Sequence, residues 1–588
     1  MPPDQFPWQR PLGAVPQPDG GVEFRVWAPR ATDSVAVRLS AGRGGGRTGA
    51  RDQPLEEVGY GIYAATLEAA PGDDYYVVLD GRRRPDPCSR HQPKGLRGPS
   101  RVVDTTSFEW SAEAPHVPRE SLVVYELHVG CFTPEGTFDS AIEHLAGLAA
   151  LGVTAIEIMP IAAFPGQYGW GYDGIYIYAP FDPYGGPAGL ARLVDAAHAA
   201  GLLVILDCVY NHLGTSGVKA MTDFGPYFAD AQTGWGRGMN YDGERSDPVR
   251  EWAIQNAEMW VRDYQIDGLR LDAVHAILDS RPRHLVAELA ARVHSVRQDA
   301  VVIAESNLND PATIRPAAEG GWGVDAQWAD DFHHSLRTLL SEEEESYYAD
   351  FGTVADLAKA FHRPFVYDGG YSGFRERLVG APAENRAPSQ FVVFSQNHDQ
   401  VGNRAFGDRM PAAARPLAAL CTLLSPFTPM LFMGEEYGED APFQFFADHI
   451  EKKIADTTRK GRRKEFEDFV EFAGEIPDPG DVATFERSKL TRQGDPAIAT
   501  LYRELFELRR TLAAAPGGAE VAEAEFDEEE RWLWLRRGGH EIVCNFADHE
   551  QWIPCTARDL VLATHPDAAF EADGETVLLP ALAGAVLV

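Results

Sequence analysis

The stretch LDCVYNH, Leu206–His212, ends an apolar run that begins at Leu202 and finishes in charged, amide and imidazole side chains. GLRLDAVH (Gly268–His275), VVIAES (Val301–Ser306) and VVFSQNHD (Val392–Asp399) repeat that pattern. Runs this rich in Val, Ile and Leu, without alternation, suggest parallel strands buried on both faces. Their polar ends would then open into one pocket, as the C-terminal strand ends of a (β/α)₈ barrel do. Strand-like and helix-like segments alternate through the middle of the chain. Eight candidate strands begin near Leu122, Val153, Leu202, Gly268, Ala300, Asp325, Gln390 and Met430. Helices lie between them, for example Ser140–Leu151 and Gly189–Ala200, the latter ended by Gly201.

Working outward, 588 residues exceed one compact core. Residues 1–110 are expected to hold an N-terminal β-sandwich, 111–515 the barrel and 516–588 a C-terminal β-domain. The sandwich rests on short strands such as VEFRVWAP and SVAVRLS, with Gly42–Gly49 as a flexible hairpin loop. The C-terminal β-domain follows the helix Ala497–Leu512 and the break AAAPGGAE. An insertion from Gly214 to Asp247, after the third strand, is expected to border the pocket. The fold class is therefore α/β, a TIM barrel flanked by two β-domains.

The net charge of −35 argues against nucleic acid or an anionic membrane as partner. Cys88, Cys131, Cys208, Cys421, Cys544 and Cys555 are scattered without a C-x-x-C pair, which suggests a reducing cytoplasm. The N-terminus MPPDQFPWQR lacks the basic and apolar regions of a signal peptide. The apolar stretch Leu417–Gly434 is divided by Pro426 and Pro429 and reads as a barrel helix and strand, not a membrane span. No nucleotide or zinc spacing occurs, so neither cofactor nor metal is expected. Oligomeric state stays open. The acidic run Glu342–Glu345 and the basic cluster Arg459–Lys464 are assigned to solvated faces.

Asp272, Glu305 and Asp399 stand at strand ends, and paired carboxyls suit glycoside chemistry, one as nucleophile and one as general acid. Asp272 and Glu305 are 33 residues apart, about one βα unit, and so are expected side by side. Arg270 shares the strand face of Asp272. Glu305 leaves an apolar strand, where desolvation raises proton affinity as a general acid requires. Asp399 would stabilise developing positive charge. His212, His275 and His398 are candidate donors to hydroxyls. Trp170 and Tyr172 offer flat faces for a pyranose ring. ADDFHH (Ala329–His334) is read as bringing Asp330, Asp331, His333 and His334 to the same rim, and Gln400 and Asn403 are further candidates to bond sugar hydroxyls.

DCVYNH, GLRLDAVH, AES and NHD occur in the order of four motifs of the α-amylase family of glycoside hydrolases and transferases, which the chain resembles over nearly its whole length. The resemblance implies Asp272 as nucleophile, Glu305 as proton donor and Asp399 as transition-state stabiliser. It implies support from Asp207, His212, Arg270 and His398, with Tyr172 as the platform beneath the sugar. Gly21–Val103, with FRVWAP, resembles the carbohydrate-binding module of branching and debranching enzymes. AESNLNDP (Ala304–Pro311) and QNHDQVGNRAFGDR (Gln396–Arg409) resemble the group that acts on malto-oligosyltrehalose and related α-glucans, cleaving beside the terminal trehalose unit. The rival readings are a glycogen branching enzyme and an amylase-like glucan-binding protein without catalysis.

Overall fold

The computed structural model describes residues 5–40, 51–341, 343, 345–383, 385–466, 476–557, 559–570 and 575–588. The expected Gly42–Gly49 loop lies outside the described residues. Eight parallel strands close into a barrel: β1 (Val124–Leu127), β2 (Ala155–Ile158), β3 (Leu203–Cys208), β4 (Gly268–Leu271), β5 (Val301–Ala304), β6 (Ala326–Trp328), β7 (Phe391–Val393) and β8 (Thr428–Phe432), with β8 pairing back onto β1. Each starts within two residues of its expected position. The last starts early, at Thr428, because Pro429 is tolerated near the beginning of a strand, where its missing N–H matters least.

Side chains alternate about each strand. One set packs outward against the helices. The other fills the barrel with Val124, Ala155, Ile205, Ile303, Ala326, Trp328, Val392 and Met430. Two residues further along, the inward positions become polar: Glu126, Glu157, Asp207, Arg270 and Glu305. The helices end on local signals. Phe138–Leu151 is capped by the Thr137 hydroxyl, which accepts from the Ser140 amide, and stops at Gly152. Gly186–Ala199 is followed by Gly201 at φ 82°, where the chain turns left-handed before β3.

Two antiparallel sheets make the N-terminal sandwich. Val22–Trp27 and Ile62–Leu67 lie in one, Val35–Ser40 and Asp74–Leu79 in the other. It joins the barrel through Gln255, whose Oε1 accepts from the Leu12 amide at 2.9 Å, and through the Arg84–Asp223 ion pair. The C-terminal part has a five-stranded and a three-stranded sheet. Its buried Arg537 and the nearby Arg509 donate to the carbonyls of Leu423, Leu424, Ser425 and Phe427, at and beyond the end of the barrel helix Arg415–Leu423. The Leu423 and Leu424 carbonyls are acceptors that the end of a helix leaves unpaired. Among the described residues no helix is long and apolar enough to cross a membrane.

Candidate active site

Arg270 organises the polar end of the barrel. It is fully buried, with its guanidinium 4.2 Å from the ring centre of Trp328. Nη1 donates to Asp207 Oδ2 at 2.7 Å and to Asp272 Oδ1 at 3.0 Å, while Nη2 lies 3.4 Å from Glu305 Oε2. Three carboxyls thus surround one buried cation, an arrangement in which losing one partner leaves charge uncompensated. Asp272 and Glu305 meet across this guanidinium. Asn211 holds the second Asp272 oxygen at 2.5 Å and the Asp272 carbonyl at 2.9 Å.

Directly after Asp272, Ala273 adopts a left-handed backbone, φ 38° and ψ 55°. This is a strained conformation for a residue with a Cβ, costing on the order of 1–3 kcal/mol. The turn directs the Ala273 amide to donate to Glu305 Oε2. Burial pushes the Glu305 carboxyl well above the ordinary range. Arg270 opposes that rise, and Asp272, Asp399 and Asp330 add to it.

Across the pocket, Tyr172 donates to Asp207 Oδ2 at 2.6 Å and stacks on His398, with ring centres 5.2 Å apart. His398 Nε2 lies 2.7 Å from the Tyr172 hydroxyl, and its Nδ1 pairs with Glu126 Oε1. Burial alone would keep the imidazole neutral, but Glu126 and then Asp399 raise its pKa to about 9. His212, also buried, pairs with Asn211. Asp399 lies on the short helix His398–Gly402, partly exposed, and accepts from Asn403 Nδ2 at 3.2 Å.

The His398–Glu126 pair makes a pH-dependent contribution to stability. A pKa raised in the folded state stabilises fully below the unfolded value of about 6.5 and loses that stabilisation as pH rises through about 9. The wild type should lose up to about 3 kcal/mol from this pair over that window. In Glu126→Gln the slope should flatten. Urea unfolding of both proteins at pH 6.5 and 9.5 tests this, and parallel slopes would refute it.

The comparisons with known proteins agree with the barrel fold. Residues 99–222 match the family model described as Alpha amylase, catalytic domain. A crystal structure of a candidate alpha amylase from Salmonella typhimurium superposes with a TM-score of 0.87 at 36% identity, covering 98% of this chain and 99% of that one. The malto-oligosyltrehalose trehalohydrolase of Rhizobium sp. (strain M-11) is 44% identical over 98% of this chain and 99% of its own length. The chain belongs to the malto-oligosyltrehalose trehalohydrolase family. Likeness to a 1,4-alpha-glucan branching enzyme of Corynebacterium jeikeium is weaker, 27% identity over 72% of this chain and 61% of that protein.

In this trehalohydrolase-family chain the outer candidates divide into two groups. His275, Asp330, Gln400 and Asn403 gather at the barrel mouth. Gln400 Nε2 donates to Asp330 Oδ1 at 3.3 Å, and burial, Asp399 and Asp331 raise the Asp330 carboxyl to about 7. His275 faces Trp235, exposed at the tip of the hairpin built by the insertion after β3. Trp170, Asp331, His333 and His334 correct the sequence reading. Trp170 is buried, stacked on Phe443, and donates to the Gln444 carbonyl, so it supports Tyr172 and His398 instead of facing a sugar. Asp331, His333 and His334 were expected on a rim beyond the sixth strand, but β6 stops at Trp328 and a helix starts at Asp330. This helix is buried on all sides from Asp331 to Leu340, so none of the three reaches the rim. Asp331 accepts from Asn309 Nδ2 and the Tyr367 amide, His333 bonds the Ser395 carbonyl, and His334 packs among Tyr347, Tyr348 and Phe351.

Sequence reasoning passed over Glu126, Glu157, Asn211 and Trp328. The signal for the two glutamates was a charged residue inside each of the apolar runs LVVYELHV and VTAIEIMP, on the face that turns inward. Glu157 is fully buried among Glu126 and Asp207, with no hydrogen-bond partner for either oxygen among the described residues, and burial followed by those carboxylates raises its pKa well above the usual range.

Proposed function

We propose that the chain is a retaining glycoside hydrolase that cleaves the α-1,4 bond beside the terminal trehalose unit of malto-oligosyltrehalose, releasing trehalose and a malto-oligosaccharide. The carrying observation is the contact of Asp272 and Glu305 with one buried guanidinium, in a chain 44% identical over 98% of its length to a named trehalohydrolase. In the first step an Asp272 oxygen attacks the anomeric carbon as Glu305 gives its proton to the departing oxygen of trehalose. The bond to trehalose breaks and a covalent glycosyl-enzyme forms. In the second step the Glu305 carboxylate takes a proton from water, which displaces Asp272 and restores the acid. Asp399 stabilises the oxocarbenium-like charge between these states, and Tyr172 underlies the sugar.

The division near residues 110 and 515 belongs to this proposal, with the N-terminal sandwich as a carbohydrate-binding module. So does a reducing cytoplasm, which would keep the buried sulfurs of Cys421 and Cys544, 3.9 Å apart, as thiols. Two inversions predict that NMR of the fresh malto-oligosaccharide shows the α-anomer first. The β-anomer appearing first rules out the covalent route, and equal kcat/KM on malto-oligosyltrehalose and plain malto-oligosaccharide rules out the trehalose specificity.

A further inference from the structure

One residue from each charge run that the sequence assigns to solvated faces, Arg462 and Glu343, instead meets the segment that carries Asp399. Arg462, from the basic cluster, is buried although its helix, Lys452–Glu465, is largely polar. Its Nη2 donates to the Gly402 and Arg404 carbonyls, each at 2.8 Å, just where the helix His398–Gly402 ends. The guanidinium lies 4.6 Å from the ring centre of Phe466 and 5.7 Å from that of Phe445, and Nη1 donates to Glu465 at 3.0 Å. Terminal carbonyls of a helix have no intrahelical donor, and a cation there satisfies them and opposes the end of the helix dipole.

Glu343, from the acidic run, grips the same segment through the Arg404 side chain. It accepts from Arg404 Nη1 at 2.7 Å and Nη2 at 2.9 Å, and from Arg337 Nη2 at 2.7 Å. A two-pronged carboxylate–guanidinium pair fixes direction as well as distance. Arg404 is therefore held at both ends, its carbonyl by Arg462 and its side chain by Glu343 and Asp408. Asp399 itself has few anchors. Its carboxylate is partly exposed and touches only Asn403, at 3.2 Å, and His398, at 3.5 Å, among the described contacts, and both partners ride on the same segment. The position of Asp399 thus follows the backbone beneath it. That backbone also packs tightly: a Cβ on Gly402 would lie 2.1 Å from the Trp170 ring.

We propose that Arg462 and Glu343 are positioning residues for the reaction, together clamping His398–Arg404, one through backbone carbonyls and one through the Arg404 side chain, so that Asp399 and Asn403 stay at the sugar. This rests on the catalytic reading of Asp399 above. Neither clamp residue touches substrate in this account. Both act through the loop.

The test measures kcat and KM on malto-oligosyltrehalose, with melting temperature, for Arg462→Met, Arg462→Lys and Glu343→Gln, alone and combined with Asp399→Asn. Misplacing a catalytic group by about 1 Å can cost roughly a hundredfold in rate, so Arg462→Met should lower kcat about 10- to 100-fold with KM changed less than about threefold. Arg462→Lys keeps donors for the carbonyls and should recover part of the loss. Glu343→Gln keeps one acceptor and should lose less than Arg462→Met. In the Asp399→Asn background the same substitutions should reduce kcat little further, because the group they position is already disabled. Full additivity in that background, or an unchanged kcat in both Arg462→Met and Glu343→Gln, overturns the clamp while leaving the catalytic reading intact. A wild type inactive on the substrate, or Asp399→Asn as active as wild type, is instead a failure of the catalytic reading and takes the clamp with it. If Arg462→Met does not fold, Arg462→Lys and Glu343→Gln decide by the same comparison.

Discussion

Asp272→Asn should reduce turnover by roughly 10⁴- to 10⁶-fold, the scale seen when members of a catalytic set are removed, while the protein stays folded and still binds glucan. The amide has nearly the shape of the carboxylate but is a poor nucleophile, so the glycosyl-enzyme does not form. The environment also forecasts a modest stability change. Arg270 Nη1 can still donate to the amide oxygen, but the new NH₂ group would face Asn211 Nδ2, another donor. Asn211 is not free to turn over, since its Oδ1 is paired with His212 Nδ1. One unsatisfied donor costs about 1–3 kcal/mol. Kinetics, calorimetric binding of a malto-oligosaccharide and thermal unfolding separate the effects. A folded variant within tenfold of wild-type kcat would remove Asp272 from the nucleophile's role.

Barrel strands were legible because their signal is long and local. Fully buried parallel strands read as unbroken apolar runs, and the inward face continues past the strand end, so LDCVYNH and GLRLDAVH indicated which residues would meet. The corrections have a common physical cause. Where ADDFHH leaves β6, period two gives way to a helix within two residues, and the side chains after Asp330 are buried within the fold instead of lining the rim. Periodicity in one short segment cannot locate that switch. Trp170 failed for another reason. An aromatic beside a binding site and one on its surface look alike in sequence, and only packing against Phe443 and Gly402 tells them apart. Arg462 and Glu343 were lost in charge runs, because the contacts of one member depend on loops distant in sequence. Glu126 was readable in principle, as a lone charge in a strand that has no other reason to carry one.

Glu305→Gln should lower kcat on malto-oligosyltrehalose by about 10²- to 10⁴-fold, the usual worth of a positioned general acid. Two features of its surroundings make the prediction specific. Burial and the facing carboxylates raise the Glu305 pKa, so the proton needed by the departing trehalose oxygen is held above the pH at which an ordinary carboxyl would release it. The active free enzyme is therefore the form with Glu305 protonated, and wild-type kcat/KM should fall on the alkaline side as that proton is lost. The variant cannot titrate there and should lack that alkaline limb. The glutamine oxygen can still accept from the Ala273 amide, so the strained turn after Asp272 and the nucleophile's position should survive. With an α-maltosyl fluoride, whose leaving group needs little acid assistance, the first step should recover and the glycosyl-enzyme accumulate, because its hydrolysis still requires the missing base. A burst of fluoride followed by slow turnover is the expected trace. If the fluoride and the natural substrate lose rate equally, the proton comes from elsewhere, and Asp330, whose carboxyl is raised to about 7 beside Asp399, becomes the group to test.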